Sequence, residues 1–392
     1  MLILMASTEY PPMKGGIGRY TSNLVKALRN LGLDVYVACN EAGKGDSSGL
    51  SPTNKQNSEV LLKIVEEINP DIVHIQFEPG MYGSILDPIN RRNSRTYIDS
   101  FYFKCKTPIV TTFHSGYNFG EWMSQSFLIK KAGRIGIFGV PLRFAVKFFS
   151  HLLTYNTFKN LNKQKLDQSH SGVVFSNYML KSIGEGCRII YHGAEPYSQT
   201  ISGKKEEARS ILSLPQDSKL ALAIGFRTVS KGWDLLKKMN IPHRWKIVVN
   251  SSAGHYSTEK FDMNFTNSRS NNIIDLQKDF LEERDFSLLL YACDVILLPY
   301  RITSGSGVMF DALSHRIPFV ASDLAFFKEF AEQGLGIIVK RKPSAFSDAI
   351  KEIERNYPFY TKNVDKFKQK LKWSFVASEH RSVYSSIKIP RS

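Results

Sequence analysis

Two cations just past an apolar run are the side chains of this chain best suited to chemistry. In ALAIGFRTVSKGW, Arg227 and Lys231 follow the run and Gly232 leads into a helical stretch. Fixed positive charge on a strand-to-helix loop suits a diphosphate that must leave with negative charge, because it stabilises the transition state more than the ground state. A second anion cradle follows LLPY, where the amides of Ser304, Gly305, Ser306 and Gly307 precede a helix expected from about Val308. Asp311 stands one turn inside that helix, where a carboxylate can accept hydrogen bonds from ribose hydroxyls or simply favour the helix dipole.

The first half carries a matching loop. After the apolar run MLILMAS come Gly15, Gly16 and Gly18, which let a phosphate or sugar approach backbone N–H groups at a helix N-terminus. A dinucleotide fingerprint needs a third glycine where Thr21 stands, and a shorter loop, so a nicotinamide cofactor is not indicated. The same glycines also suit an ordinary turn. His114 closes the run PIVTTFH, at the strand end where open α/β sheets bind ligands, and can hydrogen-bond a sugar or handle a proton near neutral pH. Glu78, after DIVHIQF, is a further candidate for contact with an acceptor.

These residues need strands to hold them, and the sequence supplies the rhythm. Short apolar runs alternate with helical spacing throughout, which reads as βαβ units on parallel sheets. At about 150 residues per domain, 392 residues suggest two or three domains, and two is the working expectation. The polar stretch Glu195 to Glu207 is the linker candidate, with Phe359 to Ile387 forming a last helical segment broken near Trp373. Hydrophobic residues at 42% and charged residues at 22% exclude a disordered or disulfide-knotted chain.

The order of these motifs resembles the retaining glycosyltransferases of the GT-B fold, in particular glycosyltransferase family 4, over nearly the whole chain. The resemblance rests on Gly15, Gly16 and Gly18 after the first strand, His114 in TTFHSG, the turn YHGAE at Tyr191 to Glu195, and GFRTVSKG. It implies an α/β chain of two Rossmann-like doubly wound domains facing across a cleft. Residues 1–195 would form the acceptor-side domain and 196–373 the nucleotide-sugar domain, with a helix at 374–392 packing back on the first. The family's basic pair maps onto Lys231 and, displaced by one residue, onto Arg227, since Phe226 holds the usual arginine position. Its paired glutamates map onto Thr303 and Asp311, so the carboxylate beside the transferred sugar is replaced by a hydroxyl.

The implied activity is hexosyl transfer, with retention, from a nucleoside-diphosphate sugar to a lipid-linked or glycan acceptor, in cell-surface polysaccharide or glycoconjugate synthesis. A catalytically inactive protein that binds sugar nucleotides or glycans is the alternative, motivated by Thr303. Neither a metal nor a cofactor is expected, since no D-x-D motif stands out and protein cations meet the phosphate charge.

Basic residues exceed acidic ones by 52 − 36 = 16, which points to anionic partners. The bias concentrates between Trp122 and Leu166, where Lys130, Lys131, Arg134, Arg143, Lys147, Lys159, Lys163 and Lys165 occur without one acid. After Pro141, Arg143 and Lys147 share a polar stripe and Phe144, Phe148 and Phe149 lie on a wide apolar face. Such a helix suits an anionic membrane surface, or a core with a solvated basic edge. Nucleic acid is not expected, because these aromatics follow a helix face instead of a stacking sheet. Four scattered cysteines and no leader or spanning segment suggest a cytoplasmic protein, peripheral on the inner face of the membrane.

Overall fold

A computed structural model describes residues 1–83, 95–128, 140–197, 205–253 and 272–388, apart from the side chains of 125–128 and 140–147. The chain divides into two compact units, Met1–Tyr191 with Trp373–Ser392, and His192–Lys372.

The first unit holds six parallel strands, β1 (Leu2–Ala6), β2 (Asp34–Ala38), β3 (Ile72–Phe77), β4 (Ile109–Phe113), β5 (Ser171–Val174) and β6 (Cys187–Ile189). Their order in the sheet is β2-β1-β3-β4-β5-β6. β3 and β4 are buried at every position, and apart from His74 and Gln76 they read as apolar or β-branched runs because helices cover both faces. Registers such as Ile3 opposite Ile72 and Phe77 opposite Phe113 bring the ends of β1, β3 and β4 level.

The second unit repeats the plan with β7 (Lys219–Phe226), β8 (Trp245–Ser252), β9 (Ile273–Asp275), β10 (Val295–Leu298), β11 (Phe319–Ser322) and β12 (Gly336–Val339). The order is β12-β11-β10-β7-β8-β9. One side of this sheet packs Ala221, Ile247 and Leu297 against Trp233, Trp245, Phe346 and Ile350 in a continuous core. The expected doubly wound α/β fold is therefore present twice.

In each sheet the chain leaves one strand in opposite directions, and a crevice opens at the carboxyl ends where the order reverses. The reversals fall between β1 and β3 and between β7 and β10. Gly15 to Gly18 and Glu78 follow the first pair, with His114 after neighbouring β4; Arg227 and Lys231 follow β7, and Ser304 to Gly307 follow β10.

The last helix, Trp373–Ser386, belongs to the first unit and packs on the helix Gly16–Asn30. Its attachment is polar as well as apolar. Buried His74 on β3 bonds the Tyr384 hydroxyl through Nδ1 and the Thr112 hydroxyl through Nε2, each at 2.7 Å. His380 lies 5.6 Å from the His74 ring and is pushed down to about 4 by burial.

Of the basic segment, Lys130, Lys131 and Arg134 lie outside the described residues, as do the side chains of Arg143, Phe144 and Lys147. The backbone from Val140 to Asp167 is one helix. Phe148 and Phe149 are 38% and 60% exposed, so this part of the apolar face is not core. Lys165, by contrast, is buried against Asp99 at 2.7 Å and sits over the Tyr102 ring, which removes it from any surface role. Among the described residues no helix is long and apolar enough to cross a membrane.

Candidate functional site

The glycine-rich loop of the first unit differs from a bare anion cradle. Glu9 folds under the start of the helix Gly16–Asn30, and its Oε2 accepts a hydrogen bond from the Gly18 amide at 3.2 Å. A Cβ on Gly15 would stand 2.0 Å from that carboxylate, and one on Gly18 3.1 Å from the Glu9 backbone. These two glycines therefore serve the approach of Glu9, and only Gly16 has open space where a side chain would project. The positive end of the helix already holds a negative charge, so a second anion here would meet repulsion. The helix start is therefore not a bare anion cradle, since the Glu9 carboxylate already occupies it.

His114 is half-buried beside this loop, its ring edge-on to Tyr20 at 5.4 Å and 5.3 Å from Phe175. Its Nε2 is 2.9 Å from the Gln76 amide oxygen at the end of β3. With Gln76 oriented in this way, Nε2 is the nitrogen that donates to it. Glu78 is half-buried on the loop after β3. Burial pushes its carboxyl up, opposed by the Ser115 hydroxyl and the Gly80 amide.

In the second unit the two cations diverge. Arg227 leans towards β8, donating from Nε to the Ser251 hydroxyl at 3.2 Å and from Nη2 to the Ser251 carbonyl at 3.0 Å. Three of its five N–H groups remain for other partners. Lys231 leans the other way, towards the reversal point: its Nζ sits 3.8 Å from the centre of the Tyr300 ring, just after β10. Gly232 makes this possible, with φ +69 and no room for a side chain, since a Cβ would stand 1.9 Å from the Pro299 carbonyl.

Charge pairing fixes the two loops to each other. The Arg301 amide donates to the Ser230 carbonyl at 2.7 Å. Asp234 bridges Arg301 at 2.8 Å and Arg341 at 2.6 Å, while Arg341 also donates to the carbonyls of Pro299 and Gly232. Lys231, Arg301 and Arg341 thus share this side of β7, where Asp234 pairs with the two arginines.

Ser306 caps the helix Gly307–Ser314, its hydroxyl accepting from the Met309 amide at 3.2 Å. Gly305 has open space around its missing side chain. Ser304 is buried. Thr303 requires a correction: its hydroxyl donates to the Gly305 carbonyl and accepts from the Gly305 amide, closing a turn of its own. Its only proton is committed there, so Thr303 shapes the loop and does not offer that proton to a sugar. Asp311 is 2% exposed in the helix's second turn, which leaves at most an edge of its carboxylate to a ligand.

Sequence reasoning missed three contributors. Glu9 carried the signal of an acid ahead of three glycines. Tyr300 carried that of an aromatic directly after a strand end. His192 was noticed only as part of a turn, yet its ring stacks on Phe310 with planes 1° apart and its Nε2 is 3.2 Å from where a Cβ on Gly307 would stand. Among the described residues no cluster of His, Cys, Asp and Glu could hold a metal ion.

Residues 14–136 match the model of Glycosyltransferase Family 4, a span that includes the glycine-rich loop, Glu78 and His114. No curated protein matches the sequence. Among solved structures, Anabaena HepE in complex with UDP-glucose is 14% identical, with a TM-score of 0.68 over 99% of this chain and 100% of that one. Sucrose-phosphate synthase from Thermosynechococcus elongatus is 14% identical, with a TM-score of 0.67 over 98% of both chains. WaaG, a glycosyltransferase involved in lipopolysaccharide biosynthesis, is 13% identical, with a TM-score of 0.59 over 98% of this chain and 100% of that one. The fold is that of the GT-B glycosyltransferases, and the resemblance to family 4 read from the motif order is met by the family model over residues 14–136.

Proposed function

We propose that this chain is a retaining glycosyltransferase that moves a hexosyl group from a nucleoside-diphosphate sugar to a lipid-linked or glycan acceptor. The observation that carries the reading is the reversal point of the second sheet, where Lys231 and the capped start of the helix Gly307–Ser314 present positive charge. A diphosphate is the ligand such a place favours. The UDP-glucose of HepE, on the same fold, supports a nucleotide-sugar donor.

In the proposed reaction the bond from the sugar's anomeric carbon to the diphosphate breaks and one to the acceptor oxygen forms, with retained configuration as in similar enzymes, and the acceptor's hydroxyl proton passes to the departing phosphate. Lys231 meets the charge that builds on the departing phosphate. Arg227 adds its uncommitted N–H groups, and the Asp311 carboxylate takes a ribose hydroxyl. His114 and the open surface at Gly16 hydrogen-bond sugar hydroxyls, while Glu78 contacts the acceptor. Protein cations supply the charge a metal would otherwise bring, so the activity is proposed to be metal-independent. The exposed Phe148 and Phe149 on a basic helix support a peripheral place on an anionic membrane, on its cytoplasmic face.

A panel of UDP, GDP and ADP sugars, assayed with lipid extract and analysed for anomeric configuration, tests this directly. Transfer with any donor rejects the inactive reading, which the self-closed Thr303 motivates. Donor binding without transfer under every condition would favour it. Inversion of the anomeric centre would reject retention.

A further inference from the structure

Lysine is a poor phosphate seat when its stem is free, because its side chain loses roughly 2 kcal/mol of rotamer entropy on being fixed. In this chain the stem is already guided. The Cε of Lys231 lies 3.7 Å from where a Cβ on Gly225 would stand, so the side chain runs over bare backbone at the end of β7. Gly225 has φ +149, which an L side chain rarely adopts, and this keeps the track clear.

The stem delivers the ammonium to one face of Tyr300, 3.8 Å from the ring centre. That ring is itself fixed. Tyr300 is 2% exposed and meets Phe327 edge-on at 5.5 Å. Its hydroxyl lies 3.4 Å from the Ser306 hydroxyl, which caps the helix Gly307–Ser314. One buried aromatic thus touches both the cation after β7 and the helix start after β10.

We propose that Tyr300 is a positioning residue of the donor diphosphate seat: its ring holds the Lys231 ammonium beside the Ser306-capped helix start. The inference rests on the donor-site reading given above. An ammonium on a ring face still directs N–H groups away from the ring, so the cation is held without being consumed. Tyr300 touches no substrate in this scheme and acts through Lys231.

A double-mutant cycle on nucleotide affinity tests it, using calorimetry with whichever of UDP, GDP or ADP binds the full-length protein most tightly. Lys231→Ala weakens binding on the order of 10²-fold, the loss of a charged hydrogen-bonding partner. Tyr300→Met, which keeps bulk and loses the ring, weakens it about tenfold. In the Lys231→Ala background Tyr300→Met has no further effect, because the cation it positions is gone. Tyr300→Phe keeps the ring and stays within about threefold of wild type.

If the two losses multiply in the double mutant, Tyr300 is ordinary packing and the inference falls. A tenfold loss in Tyr300→Phe overturns the role of the ring even where Tyr300→Met does not fold. If Lys231→Ala binds nucleotide as wild type does, or no nucleotide binds wild type, the donor-site reading itself is wrong and Tyr300 falls with it.

Discussion

Two helices begin beside the reversal points of the two sheets, one with an acid folded against its first turn and the other with a neutral cap and a cation nearby. At Gly16 the helix start is met by the carboxylate of Glu9. At Gly307 it is met by the neutral hydroxyl of Ser306, with Lys231 held nearby through Tyr300. Backbone geometry alone would make both of them anion sites. The difference teaches that a helix N-terminus takes its ligand class from what the protein has already placed there: an internal acid leaves room for neutral hydroxyls, whereas an internal cation invites phosphate.

The strongest way to break this contrast is Lys231→Ala, expected to lower turnover by about 10²-fold or more with the melting temperature unchanged. Steady-state kinetics beside a thermal melt read both quantities, and wild-type turnover would remove the charge assignment from the second helix start.

Acid should separate the two units next. His74 is held well below its ordinary value and His380 down to about 4, mainly by burial, so both are neutral in the folded first unit. The unfolded chain takes up protons below about 6.5, which the folded unit resists, so stability is complete above that pH and declines as pH falls towards 4. His380 alone accounts for roughly 2 kcal/mol lost by pH 5. The protection factors of peptides from Trp373–Ser386, exchange rates taken relative to the intrinsic amide rate at each pH, should fall through this window, and unchanged protection would show that the histidines are not what holds the helix.

Glu9→Gln sharpens the comparison from the other side. It removes the charge from the first helix start and should lower stability by about 1 kcal/mol while leaving donor affinity unchanged. A marked loss of donor affinity would place the phosphates in the wrong unit. The smallest effect is expected of Ser306→Ala, about 1 kcal/mol or less from a lost cap, together with weaker nucleotide binding of a few fold. Calorimetry resolves the two, and a stability loss with unchanged nucleotide affinity would make the serine purely structural.

The fold was readable because its signals are local. Runs such as DIVHIQ and DVILLPY are buried on both faces and therefore predominantly apolar, and the glycines and polar loops between them mark each βα turn. Lys231 was readable for the same reason, since its place after β7 follows from strand and loop alone. What escaped depends on groups distant in sequence or on small departures in geometry. Glu9 is one of many loop acids until its carboxylate is seen beneath Gly15 and Gly18. Thr303 stood where a ligand contact was expected, and nothing in TSGSG announces that its hydroxyl turns back on Gly305. Arg227 and Lys231 look like a pair in the sequence, but the ends of β8 and β10 draw them to opposite sides of β7.

The helix Trp373–Ser386 also imposes an order on biosynthesis. His74 and Tyr384 are 310 residues apart, with the entire second unit made between them. A ribosome adding roughly 5–20 residues per second takes about fifteen to sixty seconds to cross that interval. Throughout it, the nascent first unit carries a buried imidazole without its phenol partner and a helix face, around Tyr20, without the Trp373 ring that later covers it. Residues 1–191 produced alone would remain in that condition permanently, sticky and short of one partner, whereas joining Trp373–Ser386 to their end through a flexible tether would let the unit finish itself.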